Sequence, residues 1–316
     1  MRVLLTGASG FVGRAVQTRL SRDGVYDLRA AYRTMPTGTN GHEVVRAPDL
    51  GPVSDWGELL TGVSVIIHCA AREHIMSDPS ADPLNEFRTV NVEGTLNLAR
   101  QAAKAGVKRF IFLSSIKVNG EQTISGKPFT PQYACGPEDV YGTSKLEAEQ
   151  ALKSVCSEAG MDVVIVRPPL VYGPGVKGNF ASLIRLVEKG IPLPLGAIHN
   201  KRSLVGLDNL VDLIITCIDH PSAANQVFLA ADGEDLSTSE LLRRVAAAMG
   251  KPSRLIPVPA GLLQLGATLL GKKAVGQRLL GSLQVDISST RDCLGWEPPF
   301  SVDEGLRRCF VSHPKE

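Results

Sequence analysis

The chain has 316 residues, of which 43% are hydrophobic and 21% are charged. This is the composition of a globular protein, and the length suffices for one large domain or two coupled ones. Its 34 basic and 32 acidic residues give a formal net charge of +2, with no long basic run. The charge therefore argues against a nucleic-acid-binding protein.

The cysteines and the first residues of the chain are used to predict the cellular compartment. Six cysteines form no CxxC pair and do not cluster with histidine, so we expect reduced thiols, no metal site and a cytoplasmic protein. The opening MRVLLTG leads directly into a strand and a glycine turn, so no signal peptide is expected.

Short runs rich in β-branched and aromatic residues alternate with helical patterns through the first half of the chain. Two of the helices end in glycine, as helix C-termini often do. The alternation predicts an α/β fold with a parallel sheet covered on both faces. Strands are predicted at 2–7, 27–33, 42–46, 63–69, 107–115 and 161–168, and helices at 10–20, 85–106 and 141–160.

The pattern loosens after about residue 170, where glycine and proline become frequent. Helices are predicted at 179–189, 208–219 and 237–249, without a strong strand series of their own. We therefore predict a first domain over 1–170 and a smaller lobe over 171–316, partly interleaved with it. The apolar stretch 255–271 contains two prolines and is shorter than the roughly 20 residues of a membrane span, so a buried helix or a helix over a pocket is expected.

Residues 6–13, TGASGFVG, place three glycines between the first strand and the first helix. Such glycines permit a tight turn, a close approach to a pyrophosphate and close packing of helix on strand. The N–H groups at the start of the helix would bind the anion. A dinucleotide-binding turn of the Rossmann type is predicted, formed by Gly7, Gly10, Phe11, Val12 and Gly13.

The end of the second strand discriminates between the two nicotinamide dinucleotides. An acidic residue there suits the ribose hydroxyl of NAD, whereas arginine suits the 2′-phosphate of NADP. This strand ends in Arg33 without an acid, and Arg14 could assist it. NADP(H) is therefore favoured over NAD(H), and the alternative is that Arg33 is only a surface charge.

Two further strand ends are candidates for the cofactor site. After the third strand, Asp49 and its neighbour Leu50 could lie against the adenine. The fourth strand ends in His68 and the small residues Cys69, Ala70 and Ala71, which would let the backbone approach the cofactor. We interpret His68 itself as a packed strand residue.

Tyr141 and Lys145 lie four residues apart in a predicted helix and therefore on one face of it. An ammonium close to a phenol favours the phenolate and lowers the tyrosine pKa, which would give a general acid or base near neutral pH. The alternative for an isolated YxxxK pattern is a solvent-facing helix start.

Several motifs occur together in one order along nearly the whole chain. With them the sequence resembles the extended short-chain dehydrogenase/reductase family, in its sugar-nucleotide epimerase/dehydratase branch. The resemblance implies a doubly wound Rossmann sheet with a C-terminal substrate-binding lobe, a UDP-sugar substrate and a homodimer formed by helices 85–106 and 141–160. The motifs are TGASGFVG, IIHCAA, NVEGT, FLSSIKVNG, YGTSK, RPPLVYGPG, KRSLVGLDNLVD and LGWEPPFSVDEGL.

The resemblance also implies roles for individual residues. Tyr141 matches the catalytic acid/base, Lys145 the residue that binds the nicotinamide ribose, and Ser115 the serine that hydrogen-bonds the substrate oxygen. Asn91 matches a position that supports the active-site helix beside the cofactor, and Pro168, in the RPPLVYGPG motif, is a candidate cofactor-binding residue. The substrate diphosphate would be held by Asn179 and Arg202.

Two positions depart from the family pattern. Asn119 replaces the tyrosine of SSxxVYG, and Leu170 replaces an asparagine that hydrogen-bonds the sugar in hexose 4-epimerases. The second departure argues against a galactose epimerase, and RPPLVYGPG together with SLQVD at 282–286 resembles the reductases and epimerases of bacterial polysaccharide assembly. This resemblance implies a C4-reductase of a UDP-4-keto-6-deoxy-N-acetylhexosamine, with NADPH as the cofactor that Arg33 favours. The alternatives are a UDP-hexose or hexosamine 4-epimerase with tightly bound NAD, and a non-catalytic dinucleotide-binding protein.

Overall fold

A seven-stranded sheet, parallel throughout, forms the centre of the protein, and a smaller three-stranded sheet lies in the C-terminal half. The computed structural model describes residues 1–37, 41–73, 82–124 and 126–310, apart from the side chain of Asn179. The strands are β1 (Arg2–Thr6), β2 (Asp27–Tyr32), β3 (Glu43–Arg46), β4 (Val63–His68), β5 (Arg109–Leu113), β6 (Asp162–Arg167), β7 (Leu170–Tyr172), β8 (Arg202–Gly206), β9 (Val227–Leu229) and β10 (Asp235–Leu236).

Helices cover both faces of the large sheet. Alternate side chains of a strand point to opposite faces, so Val3 and Leu5 of β1 lie in one apolar layer and Leu4 in the other. The first layer contains α1 and α6, and the second contains α3 and α4. The helices are α1 (Phe11–Asp23), α2 (Pro83–Arg88), α3 (Thr95–Lys104), α4 (Val140–Ala159), α5 (Gly178–Glu188), α6 (Leu207–Asp219), α7 (Thr238–Ala248), α8 (Ala260–Leu269), α9 (Lys273–Leu280), α10 (Ser288–Leu294) and α11 (Val302–Arg308).

The strand order β3-β2-β1-β4-β5-β6-β9 confirms the predicted doubly wound parallel sheet. The chain proceeds outward from β1 to β3 and then returns to place β4 on the other side of β1. In sheets of this kind the crevice at the carboxyl ends of the two strands flanking this switch is where ligands bind. Each of the six strands predicted in the first half is present, within two residues at either end.

The helix predicted over 85–106 is interrupted. It consists of α2, a π-helical segment Thr89–Gly94, and α3. Within the π-helical segment Asn91 is buried, and Gly94 lies so close to the chain at Leu50 that a Cβ on it would be 2.8 Å from the Leu50 carbonyl carbon. A periodic apolar pattern does not reveal this widened turn, which often occurs at functional sites.

The second half of the chain contributes to both sheets. β7, β8 and β10 form the smaller sheet, and its apolar cluster includes side chains from α5, α7 and α11. β9 instead pairs with β6 and extends the large sheet. The second lobe thus has a small sheet that the sequence pattern did not indicate, and the helices α5, α6 and α7 lie within two residues of their predicted bounds.

The apolar segment 255–271 is more exposed to solvent than the sequence predicts. It contains α8, in which none of the residues is fully buried, and Leu262, Leu265 and Leu269 are exposed. The prediction of a buried helix is therefore wrong, because apolar composition alone does not show which side of a helix is covered. Within the described residues, no helix combines the length and the apolar character needed to cross a membrane.

Candidate active site

The glycine turn lies at the carboxyl end of β1, against the chain that follows β4. Gly7 has a left-handed φ of +73°, and a Cβ on it would stand 2.6 Å from the backbone nitrogen of Ala70. A Cβ on Gly13 would stand 2.1 Å from the Gly7 carbonyl oxygen. Only glycine fits both positions, so the turn packs directly against the backbone of Cys69 and Ala70.

Helix α1 begins at Phe11 without a side-chain cap on Gly10 and without an acidic residue in its first turn, among the residues described. The N–H groups of the first turn of a helix have no partner within the helix, and its dipole favours an anion there. Phe11, Val12 and Gly13 present these groups directly after the glycine turn. The geometry fits a dinucleotide pyrophosphate, as the sequence pattern predicts.

The ends of β2 and β3 are open to solvent. Arg33 follows β2 directly and is exposed, while Arg14 in the first turn of α1 donates to the Ser9 carbonyl oxygen at 3.0 Å. Asp49 is exposed, and its carbonyl oxygen accepts a hydrogen bond from the Ser54 hydroxyl. These positions are compatible with the predicted adenosine end of the site, and the contacts themselves stay predictions.

The chain after β4 forms the wall opposite the glycine turn. The Cys69 backbone donates to the Thr6 carbonyl oxygen at 3.2 Å, which continues the pairing of β4 with β1 into the three small residues Cys69, Ala70 and Ala71. Burial raises the pKa of the Cys69 thiol to about 12, so the thiol is neutral. This wall is therefore an uncharged, backbone-lined surface.

His68 is fully buried, and both of its ring nitrogens contact hydroxyl groups: Nδ1 lies 2.7 Å from Thr6 Oγ1 and Nε2 lies 3.0 Å from Thr95 Oγ1. Burial, with a further contribution from the charge of Lys145, lowers its pKa to about 3. His68 is thus a neutral packed residue that connects β1 with α3.

Asn91 connects the chain after β4 with helix α4. Its side chain accepts a hydrogen bond from the Arg72 backbone nitrogen at 2.7 Å and donates to the Arg72 carbonyl oxygen at 3.1 Å. It also donates to the Ser144 hydroxyl at 3.0 Å. The Asn91 side chain is buried and makes these three hydrogen bonds, so in this structure it holds the chain after β4 against helix α4.

Ser115 and Tyr141 come from adjacent elements. Ser115 follows β5 and begins a short 3₁₀ turn, and Tyr141 lies in the first turn of α4, which Asp139 caps by accepting from the Gly142 backbone nitrogen at 2.7 Å. Lys117, two residues after Ser115, forms a salt bridge with the same Asp139. The cap therefore fixes the start of α4 relative to the serine turn.

Lys145 lies one helical turn beyond Tyr141 and is buried. Its Nζ donates to the Leu113 carbonyl oxygen at 2.9 Å and lies 4.4 Å from the ring centroid of Phe112. Burial lowers its pKa to about 8, an effect that the carboxylates of Glu149 and Glu73 partly oppose. Lys145 is thus tied to the end of β5, beside the serine turn.

The effect expected of Lys145 on Tyr141 is absent from this structure. The half-buried tyrosine has its pKa raised, first by desolvation and then by the charges of Glu73 and Asp139. The expectation of a lowered pKa is therefore wrong for the protein as described. The physical reason is that desolvation and the carboxylates of Glu73 and Asp139 disfavour the phenolate, while the Lys145 ammonium is bound to the Leu113 carbonyl oxygen.

A buried ion pair behind the serine turn was not predicted. Arg167 at the end of β6 donates to Glu149 of α4 at 2.9 Å, and Ser114 donates to the same carboxylate. Arg167 also donates to Asn119 Oδ1 at 3.1 Å. Asn119, noted as a departure from the family pattern, is thus a partner of this pair. The sequence offered one signal, a Glu four residues after Lys145 on the same helix, but no local pattern identifies its partner.

Asn179 and Arg202, predicted to hold the substrate diphosphate, belong to the second lobe, whereas Pro168, predicted to bind the cofactor, follows β6. Arg202, in β8, donates through Nη1 to the carbonyl oxygens of Arg278 at 3.1 Å and Gly281 at 3.0 Å, and burial lowers its pKa. Pro168 is buried and its carbonyl oxygen accepts from the Ile116 backbone at 2.9 Å, next to the serine turn. The side chain of Asn179 lies outside the described part of the chain.

The comparisons with known proteins agree with this architecture. The model of the NAD dependent epimerase/dehydratase family matches residues 3–231. A Vibrio cholerae protein named UDP-glucose 4-epimerase is 51% identical over 307 residues, which cover 97% of this chain and 93% of that protein.

Two solved structures show the same fold. The UDP-N-acetylglucosamine 4-epimerase of Bacillus cereus superposes with a TM-score of 0.78 at 18% identity, covering 98% of each chain. A short-chain dehydrogenase/reductase superfamily protein of Agrobacterium tumefaciens, with bound NAD, superposes with a TM-score of 0.77 at 24% identity, covering 98% of this chain and 96% of that one. The family match and the 51% identical relative together show that this chain belongs to the NAD-dependent epimerase/dehydratase family.

Proposed function

We propose that the protein interconverts the C4 epimers of a UDP-hexose or UDP-hexosamine and holds NAD throughout the reaction. The observation that carries this proposal is the 51% identity, over 97% of the chain, with a protein named UDP-glucose 4-epimerase. This identity favours the 4-epimerase, which the sequence analysis gave as an alternative, over the C4-reductase. The arrangement of Ser115, Tyr141 and Lys145 supports a reversible oxidation of a secondary alcohol.

Tyr141 is proposed as the group that takes the proton of the C4 hydroxyl and later returns it to the oxygen of the 4-keto sugar. When bound, the nicotinamide supplies a reversible acceptor for the C4 hydride. Ser115, with a hydroxyl that both donates and accepts, would hold the same sugar oxygen. The proton and hydride both return to the sugar, so no net oxidation results.

Lys145 is proposed to act on Tyr141 through its charge and to bind the nicotinamide ribose. Below its pKa of about 8 the ammonium is charged and can move from the Leu113 carbonyl oxygen toward a ribose hydroxyl. The buried Glu149, four residues further along α4, keeps that pKa from falling further.

The cofactor would lie along the glycine turn and the wall after β4. The glycine turn, which presents no side chain at Gly7 or Gly13, and the uncapped start of α1 suit a pyrophosphate in either dinucleotide. Asp49, Leu50 and Asn91 would line or support the adenosine and ribose parts. Arg33 would contact a 2′-phosphate if the protein also accepts NADP, a preference that the bound NAD of the structural relative does not support.

The substrate diphosphate is proposed to lie against Arg202 and Asn179. Arginine offers several N–H donors in a fixed plane, which suits phosphate oxygens. Glu121, which follows the serine turn, is close enough to Arg202 to raise its pKa against the effect of burial. This proximity supports a substrate diphosphate that lies between Arg202 and the serine turn.

A C4-reductase of a UDP-4-keto-6-deoxy-N-acetylhexosamine is the second candidate. Leu170 begins β7 and packs against the apolar cluster of the second lobe, so it offers the sugar no hydrogen bond. Together with Arg33, it favours a substrate and cofactor different from those of a hexose 4-epimerase. The two candidates differ in whether the dinucleotide leaves after each turnover.

The oligomeric state and the cellular compartment of the protein are proposals. We propose a homodimer formed through α3 and α4 and a location in the cytoplasm. The six cysteines, all within the described residues, are free thiols, which supports a reducing compartment. Sedimentation velocity of the purified chain tests the dimer.

The cofactor content of the extensively dialysed protein tests the function. An epimerase must retain the dinucleotide, because its loss would strand the keto sugar. We expect near-stoichiometric NAD and interconversion of UDP-glucose with UDP-galactose, or of their N-acetylhexosamine counterparts, without added cofactor. A protein free of dinucleotide that oxidises NADPH only with a UDP-4-keto-6-deoxy sugar would establish the reductase instead.

A further inference from the structure

Helix α8 exposes a row of leucines and has no charged residue. Leu262, Leu265 and Leu269 are three and four residues apart, so they share one face of the helix, with 61%, 57% and 78% of their surfaces exposed. Leu270, directly after the helix, is 74% exposed. We call these four side chains the leucine row. A continuous apolar surface of this kind on a globular protein usually marks a site of interaction.

The opposite side of α8 packs against the second lobe. Leu263 packs against the apolar cluster of that lobe, as does Leu255 just before the helix. Helix α9 follows after a tight turn, in which the Lys272 backbone donates to the Ala267 carbonyl oxygen at 2.7 Å, and a Cβ on Gly276 would stand 3.0 Å from that of Ala267. The leucine row is therefore the outer face of a packed helical hairpin.

The surroundings of the leucine row are cationic. Over 255–285, the segment that contains α8 and α9, the chain has three basic residues, Lys272, Lys273 and Arg278, and no acidic residue, although the whole protein has a net charge of only +2. Lys272 and Lys273, both exposed, follow the row after one glycine. A positive excess next to an apolar row complements a surface that is anionic outside and apolar beneath.

We propose that this hairpin docks the protein on an anionic lipid bilayer, with the leucine row in the headgroup–acyl boundary and Lys272 and Lys273 at the lipid phosphates. Helix α8 has ten residues, about 15 Å in length, so it lies in the interface rather than spanning it. A second copy is a poorer occupant, because a twofold interface would bring the same uncompensated lysines together.

The docking surface continues toward the proposed substrate site. Arg202 donates to the carbonyl oxygens of Arg278 and Gly281, at the end of α9. Docking would thus hold the Arg202 end of the second lobe at the bilayer surface. This relation depends on the proposed function, whereas the docking itself does not, and its test uses no substrate.

Flotation of the full-length protein with lipid vesicles tests the proposal. At low salt the protein should float with vesicles of phosphatidylglycerol and phosphatidylcholine, and much less with phosphatidylcholine alone. Replacing Leu265 and Leu269 together by glutamate should lower the partition coefficient by about tenfold or more for each leucine. The K272A/K273A variant should lower it by about fivefold for each charge, on anionic vesicles only.

Val53→Glu is the matched control, because Val53 is 93% exposed and lies far along the chain from α8. It should float like the wild type, and all variants should retain the wild-type unfolding transition. The proposal is overturned if the wild type does not float with anionic vesicles, or if the leucine variant floats as well as the wild type. Self-association that needs no vesicles and disappears in the leucine variant would assign the surface to a second copy.

Discussion

Lys145 Nζ lies 6.0 Å from the ring centroid of Tyr141, one turn away on the same helix. The ammonium is bound to the Leu113 carbonyl oxygen, and burial raises the pKa of Tyr141. A tyrosine that must accept a proton from a sugar hydroxyl needs positive charge close by. Oxidised nicotinamide carries such a charge, so we infer that Tyr141 and Lys145 become an acid/base pair only in the complete site.

Replacing Tyr141 by phenylalanine removes the proposed acid/base and leaves the aromatic ring that contacts Phe87. We expect turnover to fall by roughly 10²–10⁴ while bound cofactor is retained. Steady-state kinetics and cofactor content measure the two effects. Tyr133→Phe, at an exposed tyrosine, is the matched control and should keep wild-type turnover. Near-normal turnover of Tyr141→Phe would remove the catalytic role.

Arg33 is exposed directly after β2, where a 2′-phosphate would lie. A hydrogen bond to a charged group contributes about 1.5–3 kcal/mol, so Arg33→Ala should weaken NADPH binding by roughly one to two orders of magnitude. NADH binding should stay nearly unchanged. Arg22→Ala, at the other end of α1, serves as the control. Equal losses for both dinucleotides in fluorescence titrations would show that Arg33 does not recognise the phosphate.

The buried pair Arg167–Glu149 should matter for folding far more than an exposed pair on the same helix. Glu149→Gln leaves a buried guanidinium without its counter-charge, which costs about 3–5 kcal/mol. Glu147→Gln breaks the exposed pair with Arg88 and should cost at most about 1 kcal/mol. Urea denaturation measures both. Similar losses for the two variants would contradict the importance given to the buried pair.

Buried, neutral His68 makes the fold sensitive to acid. Its pKa is lowered from 6.5 to about 3, so between these values the unfolded chain binds the extra proton and the free energy of unfolding falls as the pH falls. His68→Gln can still reach the hydroxyls of Thr6 and Thr95 and has no such proton to bind. Between pH of about 7 and about 5 the variant should gain about 2 kcal/mol relative to the wild type.

Denaturation curves at the two pH values measure this gain. His199→Gln, at an exposed histidine, is the control and should show no comparable gain. If wild type and His68→Gln lose stability in parallel on acidification, His68 is not kept neutral by the fold.

Local patterns were sufficient to predict six of the seven strands of the large sheet and the glycine turn. Strand and helix periods are properties of neighbouring residues, and the spacing of Gly7, Gly10 and Gly13 reflects the geometry of one turn. The contacts between distant segments were not accessible in this way. Glu149 and Arg167 are joined only because α4 packs behind β6, and β9 joins β6 from a point some sixty residues later in the chain.

The pKa values and the charged contacts of the site could not be predicted from the sequence either. The spacing of Tyr141 and Lys145 predicted their shared helix face, but not that burial would raise the tyrosine pKa or that Leu113 would bind the ammonium. The prediction of a buried helix in the apolar stretch 255–271 was wrong for a related reason. Its composition predicts that it avoids water, whereas the fold covers only the side of α8 that includes Leu263.

The most direct test of the proposed epimerase follows the hydrogen at C4 of the sugar. UDP-glucose deuterated at C4 is incubated with the protein as purified, in ordinary water and without added cofactor, and the product is analysed by proton NMR. If hydride leaves and returns within one site while Tyr141 handles only the hydroxyl proton, the UDP-galactose formed should retain deuterium at C4. UDP-N-acetylglucosamine labelled in the same way extends the test to hexosamines. A product with protium at C4, or no conversion of either sugar, would contradict the proposal.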